Sequence, residues 1–429
     1  MTELIHIRKT CRLCDSPKLV RSVPLASVPI VSPNVGTETD ETGARITKVV
    51  APLDNYLCED CGLIQLIHVV DPALIYRDYR YRTSVSLGLP EHFRGLAESV
   101  VQRQHLGAGD HVVEFGSNDG TLLKFFKDNG ATVTGVDPAR EIAAEATRRG
   151  VPTRAEFFTE NVARDIRQSI GPAKAIIANN AMANIDDLGE IFRAVAALLA
   201  PDGAFVFETQ YALDVFERTL LDVIYHEHIS CFSVTPVVKA VRRFGLEVFD
   251  AERIPTKGGS IRFWVRLATG PQPVAARVAE LMKLEADTGL HTLAYHAKFA
   301  KRVAEIKAEL HKLIATARRQ NKPIAAFGTS VGSAALIHQF ELEDKLDMLF
   351  DDSPFKERLE GPGYDLPVYR GDRLEAMAPA LTIVLAWRYA QPITAKHGQY
   401  MEAGGRFVVP LPAISLIPEP TTGGARTAR

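Results

Sequence analysis

The sequence has almost no net charge. Its 429 residues include 50 lysines and arginines against 52 aspartates and glutamates, which gives a formal charge of -2 at pH 7. Proteins that bind nucleic acid or anionic membranes concentrate basic residues in a patch or a run. The lack of such an excess predicts that the protein has no nucleic-acid partner and no membrane partner.

Long apolar runs are also missing. No segment approaches the roughly 20 consecutive apolar residues of a transmembrane helix. The segment Met1–Thr10 is charged and lacks the apolar stretch of a secretory signal. These features predict a cytoplasmic protein, and its length is sufficient for two or three domains that each bury a core.

Cysteine is scarce, but four of the five cysteines form two Cys-x-x-Cys pairs, Cys11 with Cys14 and Cys58 with Cys61. Two such turns can direct four thiolates to one tetrahedral centre, the arrangement that zinc prefers. Four sulfur ligands leave no open position for water, so the predicted zinc is structural. Two disulfides or four free thiols are the alternatives, and disulfides fit a cytosolic protein poorly. The fifth cysteine, Cys231, is predicted to be a packing residue rather than a nucleophile.

The segment between the two pairs exceeds the spacing of a zinc finger and must form strands of its own. Apolar runs predict strands at Val23–Leu25, Ile46–Val50 and Leu63–Leu66. We therefore assign residues 1–88 to a zinc-binding domain.

A pattern of alternating strands and helices occupies residues 89–270. The strand predicted at His111–Phe115 is followed by a glycine-rich turn, a helix at Thr121–Phe126 and a second strand, Thr132–Val136, that ends at Asp137. This order of strand, glycine turn, helix, strand and acidic residue is typical of the opening of a doubly wound α/β sheet.

The glycine-rich turn indicates the cofactor. Its glycines follow the pattern Gly-x-x-x-Gly, rather than the Gly-x-Gly-x-x-Gly of dinucleotide-binding proteins, which favours S-adenosylmethionine over NAD. Asp137 lies where a carboxylate accepts hydrogen bonds from ribose hydroxyls. A sheet turn without a ligand is the alternative. The candidate cofactor-binding residues are Glu114, Gly116, Asn118, Asp119, Gly120, Asp137, Pro138 and Asn179.

The polar run Tyr225-His226-Glu227-His228 is the strongest catalytic candidate. Methyl transfer to carbon needs a carbanion-like nucleophile, which a ketone provides when a base removes the proton from the adjacent carbon. Histidine is the first choice for a base near neutral pKa, and a neighbouring glutamate can raise its basicity by stabilising the charged imidazole. The alternatives are a polar surface segment, or a metal site formed by His226 and His228.

Residues 271–320 form a predicted helical linker. Apolar residues recur there at spacings of three and four, which predicts one long amphipathic helix that packs a stripe against the body. The stripe contains Tyr295, Phe299, Val303, Ile306, Leu310 and Leu313. We expect His291, His296 and His311 to face solvent.

Residues 321–418 carry a second doubly wound pattern. A helix begins after Gly328, and its amino terminus suits an anion such as a nucleotide diphosphate, to which Lys356 could add a charge. A purely structural half-domain is the alternative. Residues 419–429 are predicted to be a disordered tail. The predicted strands are Pro323–Phe327, Leu346–Phe350, Leu381–Ala386 and Phe407–Pro410.

Several motifs together resemble the nucleotide-sugar C-methyltransferases, and in particular the dTDP-sugar C-3-methyltransferases. The resemblance covers nearly the whole chain and implies an α/β protein. Its parts would be an amino-terminal zinc-binding domain, a central class I methyltransferase domain with a Rossmann-like fold, and a second, carboxyl-terminal Rossmann-like domain that helps to hold the sugar nucleotide. The motifs are the two cysteine pairs, Glu114–Leu123, Gly135–Ala139, Ile224–His228, Gly258–Arg262 and Pro362-Gly363.

The resemblance also implies roles in the site. His228 would be the base, and Tyr225 and Glu227 would position it or polarise the substrate. The implied reaction is S-adenosylmethionine-dependent methylation of the carbon next to a ketone of a nucleotide-linked deoxysugar, through an enolate. The enzyme would be a monomer or a weak homo-oligomer.

Four positions depart from the family pattern. Asn184 and Lys257 stand where relatives commonly have histidine, Cys231 where they have an aromatic residue, and Arg388 where they have asparagine. Lys257 and Arg388 suggest, as an alternative function, a methyltransferase that acts on a non-sugar or heteroatom acceptor. A catalytically silent zinc-containing binding module is the other alternative, and the run from Tyr225 to His228 argues against it. A solvated surface lysine is the alternative for Lys257. The candidate substrate-binding residues are Lys257, Arg262, Lys356 and Arg388.

Overall fold

The computed structural model describes residues 4–30, 49–77, 79, 81–85, 88–353 and 366–418. Within these ranges, no helix has both the length and the apolar character that a membrane crossing requires. Four features named above lie outside the described residues: Lys356, the motif Pro362-Gly363, the tail 419–429, and residues 46–48 of one predicted strand.

The amino-terminal part consists of short strands around the cysteines. In chain order its elements are β1 Ile5–Ile7, β2 Leu19–Val23, β3 Val28–Pro29, β4 Val50–Ala51, β5 Asn55–Cys58, β6 Ile64–Leu66, β7 His68–Val70 and α1 Pro72–Tyr76. Strands β2, β5 and β6 are antiparallel neighbours in one sheet. The strand predicted at Leu63–Leu66 is confirmed. The strand predicted at Val23–Leu25 is wrong, because the strand precedes Pro24, whose nitrogen cannot donate to a ladder.

The central part is a doubly wound α/β domain. Its elements are α2 Leu89–Gln104, β8 His111–Phe115, α3 Thr121–Asp128, β9 Thr132–Val136, α4 Arg140–Arg148, β10 Thr153–Arg154, α5 Glu160–Ser169, β11 Ala173–Asn179, α6 Leu188–Leu198, β12 Leu199–Gln210, α7 Ala212–Glu217, β13 Ser230–Cys231, α8 Val234–Val241, β14 Leu246–Ile254 and β15 Ser260–Leu267.

The central sheet has the order β10-β9-β8-β11-β12-β15-β14. Its first five strands are parallel, and β15 and β14 run antiparallel to their neighbours. The strand order reverses between β8 and β11, and the carboxyl ends of the strands at such a switch point form the ligand crevice of doubly wound proteins. The predicted Rossmann-like methyltransferase fold is confirmed.

Helices cover both faces of this sheet because successive residues of a strand point to opposite sides. Val112 of β8 belongs to the buried cluster that contains Phe126 of α3. Its neighbour Val113 belongs to the buried cluster that contains Phe192 of α6. Strand β8 is therefore covered by apolar side chains on both faces and lies at the centre of the domain.

Strand β13 leaves the central domain and extends the amino-terminal sheet. Ser230 and Cys231 pair with Gln65 and Ile64 of β6, which gives the sheet order β13-β6-β5-β2. Because β13 begins two residues after His228, the amino-terminal sheet directly supports the catalytic candidate.

Two helices, rather than one, follow the central domain: α9 Ala276–Thr288 and α10 Leu293–Arg318. Gly289, with φ of 73°, ends α9, and the Thr292 side chain accepts a hydrogen bond from the Tyr295 amide to begin α10. A glycine in the left-handed region stops a helix, and a threonine cap starts one. The prediction of a single helix is therefore wrong. The apolar stripe of α10 is confirmed, since its buried residues include Phe299, Val303, Ile306 and Leu310.

The histidines of this segment do not face solvent, contrary to expectation. His296 is fully buried and donates to the Leu290 carbonyl at 2.8 Å. His311 donates to the Phe340 carbonyl at 2.7 Å, and His291 bonds a serine hydroxyl at 2.9 Å. Each imidazole satisfies a polar group of the surrounding protein, which a periodicity argument based on apolar residues cannot anticipate.

The carboxyl-terminal part is the second Rossmann-like domain. Its elements are β16 Ile324–Phe327, α11 Val331–Gln339, β17 Met348–Asp351, β18 Val368–Arg370, α12 Leu374–Met377, β19 Leu381–Val384, α13 Ala390–Lys396, α14 Gly398–Glu402, β20 Phe407–Val409 and β21 Ser415–Ile417. The sheet order is β18-β17-β16-β19-β20-β21, with only β21 antiparallel to its neighbour. The amino-terminal end of α11 packs on the backbone of Asp222, where a Cβ atom on Gly332 would lie 2.5 Å from the Asp222 carbonyl oxygen.

Candidate active site

The imidazole of His228 is held in one tautomer. Its Nδ1 lies 2.8 Å from the Val223 carbonyl oxygen, which can only accept, so Nδ1 carries the proton. Its Nε2 is therefore unprotonated and accepts from the Tyr225 hydroxyl at 3.1 Å. Burial, together with the positive charge of Lys257, lowers the pKa of His228 to about 3. The imidazole is thus neutral at physiological pH, and its Nε2 lone pair faces the Tyr225 hydroxyl. The expectation of a near-neutral pKa raised by Glu227 is wrong for this structure, because burial and the charge of Lys257 disfavour the protonated ring.

Glu227 is the second titratable group of the site. It is buried and accepts a hydrogen bond from the Tyr79 hydroxyl at 3.2 Å. Burial raises the pKa of Glu227 to about 7, although the bond from Tyr79 acts in the opposite direction. A carboxyl group with this pKa can hold or release a proton near neutral pH.

The raised pKa of Glu227 predicts a pH-dependent stability difference. Because the folded-state pKa of Glu227 exceeds its ordinary value, the folded protein binds this proton more tightly than the unfolded chain does. The stability that the proton contributes is present below the unfolded-state pKa and is lost as pH rises through about 7. Glu227→Gln removes the group, and its unfolding free energy relative to wild type should rise by up to about 3 kcal/mol between about pH 4 and about pH 8. Urea unfolding at both pH values measures this difference.

Glu98→Gln, on the exposed side of α2, is the matched control and should show no such change. If the stability difference between Glu227→Gln and wild type is the same at both pH values, the Glu227 carboxyl ionises normally.

His226 bonds the amino-terminal part of the chain rather than Glu227 or His228. It is buried, and its Nε2 donates to the Ala51 carbonyl at 3.2 Å, which lies in the amino-terminal part. Among the described residues, the cysteine set is the one group of three or more metal-ligating side chains close enough together to hold an ion, and no third ligand joins His226 and His228. The alternative metal site at His226 and His228 therefore finds no support in the geometry.

Sequence reasoning missed three contributors to this site, namely Tyr76, Tyr79 and Gln210. The Gln210 amide nitrogen lies 3.4 Å from Nε2 of His228, and the rings of Tyr76 and Tyr79 are 5.7 Å apart. The Tyr76 hydroxyl and Oδ1 of Asn184 are both buried and lack a hydrogen-bond partner. The tyrosines at positions 76, 79 and 81 were a visible signal, because three of the 11 tyrosines fall within six residues.

The cofactor candidates assemble at the carboxyl ends of β8, β9 and β11. Asp137 accepts hydrogen bonds from the backbone amides of Asn118 at 2.8 Å and Ala139 at 2.9 Å. Gly116 has φ of 65°, and a Cβ atom there would lie 2.8 Å from the Cβ of Ala181. Burial, reinforced by nearby aspartates, raises the pKa of Glu114 well above its ordinary value, and its Oε2 has no hydrogen-bond partner.

Two of the predicted cofactor ligands hold a protein segment instead. Oδ1 of Asn118 accepts from the Thr83 amide at 2.9 Å, and Oδ2 of Asp119 accepts from the Ser84 amide at 3.0 Å. The segment that includes Tyr79 is thereby fixed to the glycine-rich turn. Contact of Asn118 and Asp119 with the cofactor stays a prediction, as it does for Gly120 and Pro138.

Asn179 and Arg262 belong to a buried polar network around Glu208. The Glu208 carboxylate accepts from Asn179 Nδ2 at 3.0 Å and from Arg262 Nε at 2.5 Å, and bonds His92 Nε2 at 2.6 Å. Arg262 is buried and fully engaged by carboxylates, since Glu252 lies 3.5 Å from its other nitrogen. Contact of Arg262 with the substrate stays a prediction.

Lys257 and Arg388 lie on adjacent segments beside the site, since a Cβ atom on Gly258 would lie 3.3 Å from Nε of Arg388. Lys257 lies in the turn Thr256–Gly258, just before β15. The guanidinium of Arg388 lies 4.5 Å from the ring centre of Trp387 and is paired with Asp222 at 3.1 Å. Of the predicted substrate ligands in the described residues, these two lie near enough to act electrostatically on His228 and Tyr225, and their contact with a substrate stays a prediction.

The four cysteines form one cluster. Their Sγ atoms all lie within 4.8 Å of one another, with 3.6 Å between Cys11 and Cys61 and 3.6 Å between Cys14 and Cys58. These separations exceed the roughly 2 Å of a disulfide and fit the edges of a tetrahedron with sulfur ligands at roughly 2.3 Å. The geometry favours a bound metal over the alternative of two disulfides.

Arg12, next to the first cysteine, connects the cluster to the catalytic run. Its side chain is fully buried and donates to the carbonyls of Leu66, at 2.7 Å, and Ile229. It also lies 3.4 Å from the Ser230 hydroxyl and 3.3 Å from Asp186. One guanidinium thus fixes the backbone that directly follows His228.

Three family models match the chain. A zinc binding domain covers residues 11–76, a methyltransferase domain covers residues 90–251, and a C-methyltransferase C-terminal domain covers residues 255–412. The C-methyltransferase NovU of Streptomyces niveus is 32% identical over 423 residues, which are 98% of this chain and 100% of that relative.

The chain is also similar to solved methyltransferase structures. Magnesium protoporphyrin IX methyltransferase (ChlM) from Synechocystis PCC 6803, with bound SAH, has 16% sequence identity and a TM-score of 0.32, and covers 42% of this chain and 84% of its own. An S-adenosylmethionine-dependent methyltransferase from Clostridium acetobutylicum ATCC 824 has 13% identity and a TM-score of 0.34. That match covers 42% of this chain and 92% of the Clostridium chain.

Proposed function

Because the chain belongs to the C-methyltransferase family, we propose that this S-adenosylmethionine-dependent enzyme methylates the carbon next to a ketone of a nucleotide-linked deoxysugar, through an enolate. The observation that carries the proposal is the His228 imidazole, whose Nε2 is kept unprotonated by the bond between Nδ1 and Val223. A heteroatom acceptor brings its own lone pair and would need no base of this kind.

The residues at the switch point fit the cofactor. S-adenosylmethionine, when bound, supplies an electrophilic methyl group. Gly116 leaves space that a side chain would fill, and Asp137 offers a carboxylate at the end of β9. Glu114 presents a buried oxygen without a partner, which a polar ligand would satisfy.

His228 carries the proton chemistry of the proposed reaction. Its Nε2 accepts the proton of the carbon next to the ketone, and the Tyr225 hydroxyl, which donates to the same nitrogen here, gives up that bond. The pKa of about 3 keeps the base unprotonated until the substrate arrives. Proton uptake then becomes favourable because the enolate supplies a nearby negative charge.

Exchange in deuterated water tests the proposal. With S-adenosylhomocysteine in place of the methyl donor, a dTDP-linked 4-keto-6-deoxyhexose should gain deuterium next to its ketone. With S-adenosylmethionine, the same probe should gain a methyl group on that carbon. If neither the dTDP-linked nor the UDP-linked probe exchanges or is methylated, the proposed acceptor class is wrong.

Asp137→Asn should weaken cofactor binding by about 10- to 100-fold, because a neutral amide replaces a charged acceptor of ribose hydroxyls. Calorimetric titration with S-adenosylhomocysteine measures this loss, and NAD should give no binding heat. Glu141→Gln, on the exposed side of α4, is the control and should bind normally. Unchanged affinity in Asp137→Asn would place the ribose elsewhere.

We propose zinc as the metal of the cysteine cluster and expect about one zinc per chain by metal analysis. Cys11→Ser should lose the metal and the amino-terminal sheet together, because metal binding and folding are coupled in such sites. Absence of metal, with four thiols that alkylate readily in the folded protein, would contradict this assignment. A cytoplasmic location is proposed on the same ground, since thiols stay reduced there.

A further inference from the structure

Lys257 occupies a turn that the fold holds tightly. Its φ of 53° is in the left-handed region, which residues other than glycine seldom adopt. The turn packs closely on α7, because a Cβ atom on Gly259 would lie 2.3 Å from the Asp214 side chain. The Gly258 carbonyl also accepts from Arg218 at 2.9 Å. Contacts of the two glycines that follow Lys257 therefore hold the backbone of this turn.

The register of the central sheet brings this turn beside the base. Ser260, the first residue of β15, pairs with Gln210 of β12, whose amide contacts the His228 ring. After burial, the charge of Lys257 is among the causes that shift the pKa of His228 and of Glu227. The lysine is thus close to both titratable groups of the catalytic run.

Lys257 is available to a ligand. Part of the residue is exposed to solvent although protein atoms surround the ammonium, and among the described residues it has neither an ion pair nor a hydrogen bond. The neighbouring cation Arg388 differs, since Asp222 neutralises it and Trp387 covers one face. A cation without a partner next to a base indicates that the missing partner is a negative charge of the substrate.

The neutral hydrogen-bond donors of the site would stabilise a negative charge on the substrate less strongly than Lys257. Tyr225 donates to His228 and Tyr79 donates to Glu227. Burial raises the pKa of both phenols well above the ordinary value, so both are uncharged. An enolate oxygen carries a full negative charge, which a charged donor stabilises more strongly than a neutral one.

We propose that the Lys257 ammonium donates a hydrogen bond to the ketone oxygen of the acceptor and stabilises the negative charge that this oxygen gains in the enolate. The inference rests on the proposed function. As His228 takes the proton, the C–H electrons form a C=C bond and the carbonyl π electrons move to the oxygen, while Lys257 keeps its protons. The enolate carbon then bonds the methyl group, the C–S bond breaks with its electrons left on sulfur, and the C=O bond forms again.

The position of the cation explains how the base can remain neutral and still act. In the free enzyme, Lys257 opposes protonation of His228. In the enolate complex, the negative oxygen lies between the two cations and cancels that repulsion. The surrounding protein displaces water and, with the charge of Arg388, lowers the pKa of Lys257 to about 8, so the ammonium is the main form at neutral pH.

The test measures deuterium exchange into the dTDP-linked 4-keto-6-deoxyhexose, with S-adenosylhomocysteine bound. Lys257→Met should slow exchange by about 10²- to 10³-fold, the usual effect of removing one donor to a developing oxyanion. Lys298→Met, at an exposed position of α10, should exchange at the wild-type rate. Calorimetry with S-adenosylhomocysteine and thermal unfolding should give wild-type values for both variants.

Chemical rescue separates an electrophile from a structural residue. Added ethylammonium should restore exchange in Lys257→Ala in proportion to its concentration, and should not affect Lys298→Met. If the wild-type protein catalyses exchange and Lys257→Met does so at the same rate, the role of Lys257 is overturned and the proposed function stays intact. Slow exchange in Lys257→Met without amine rescue would also overturn it. No exchange in the wild type would overturn both.

Discussion

Replacement of His228 by alanine should reduce methyl transfer by about 10²- to 10⁴-fold, the range for a positioned general base. The loss follows because Nε2 is the nitrogen that the bond between Nδ1 and the Val223 carbonyl keeps unprotonated. Single-turnover assays measure the chemical step. Deuterium exchange in the acceptor should fall by the same factor, because proton removal precedes methyl transfer.

Two measurements identify the effect as loss of a base. Affinity for S-adenosylhomocysteine should stay near the wild-type value in His228→Ala, since the cofactor candidates belong to other segments. Tyr225→Phe should be milder, because it removes one hydroxyl and leaves Nε2 in place. If His228→Ala retains exchange while Glu227→Gln abolishes it, the carboxyl group with a pKa of about 7 is the base.

Arg12→Met should destabilise the protein by about 3 to 5 kcal/mol, the usual result of removing one partner of a buried charged network. The substitution leaves the carbonyls of Leu66 and Ile229 without their donor and removes one partner of Asp186. Urea unfolding measures the change, and metal content should fall with the folded fraction.

Arg243→Met is the matched control, because Arg243 also belongs to an ion pair near the cysteine cluster, with Asp15, but is about half exposed. Exposed pairs typically contribute only about 0 to 1 kcal/mol. Equal destabilisation by the two substitutions would show that the burial of Arg12 has no special effect.

The sequence was sufficient where local chemistry decides the structure. The two Cys-x-x-Cys pairs predicted the cluster, and the apolar strand before Gly116 predicted the Rossmann-like domain. Both predictions depend on contacts within short segments or on a strong periodicity. The tautomer of His228 follows from the carbonyl of Val223, five residues away, and could not be read from residue types alone.

Other parts of the site depend on contacts between distant segments. Tyr79 meets Glu227, and Gln210 meets His228, only after the amino-terminal and central parts have packed together. The break between α9 and α10 had a local signal in Gly289 and Thr292, which the apolar stripe concealed. Arg262 matched a family motif. It lies opposite Glu208 on the neighbouring strand, however, and its guanidinium bonds that carboxylate.

The pairing of β13 with β6 joins two strands that are made at different times during synthesis of the chain. The four cysteines all lie within the first 61 residues that are synthesised. The outer edge of β6, however, stays open until Ser230 and Cys231 have been made. An open strand edge invites pairing with other chains. The nascent chain therefore carries this open edge while the glycine-turn half of the central domain is translated, and the strand that covers the edge begins two residues after His228.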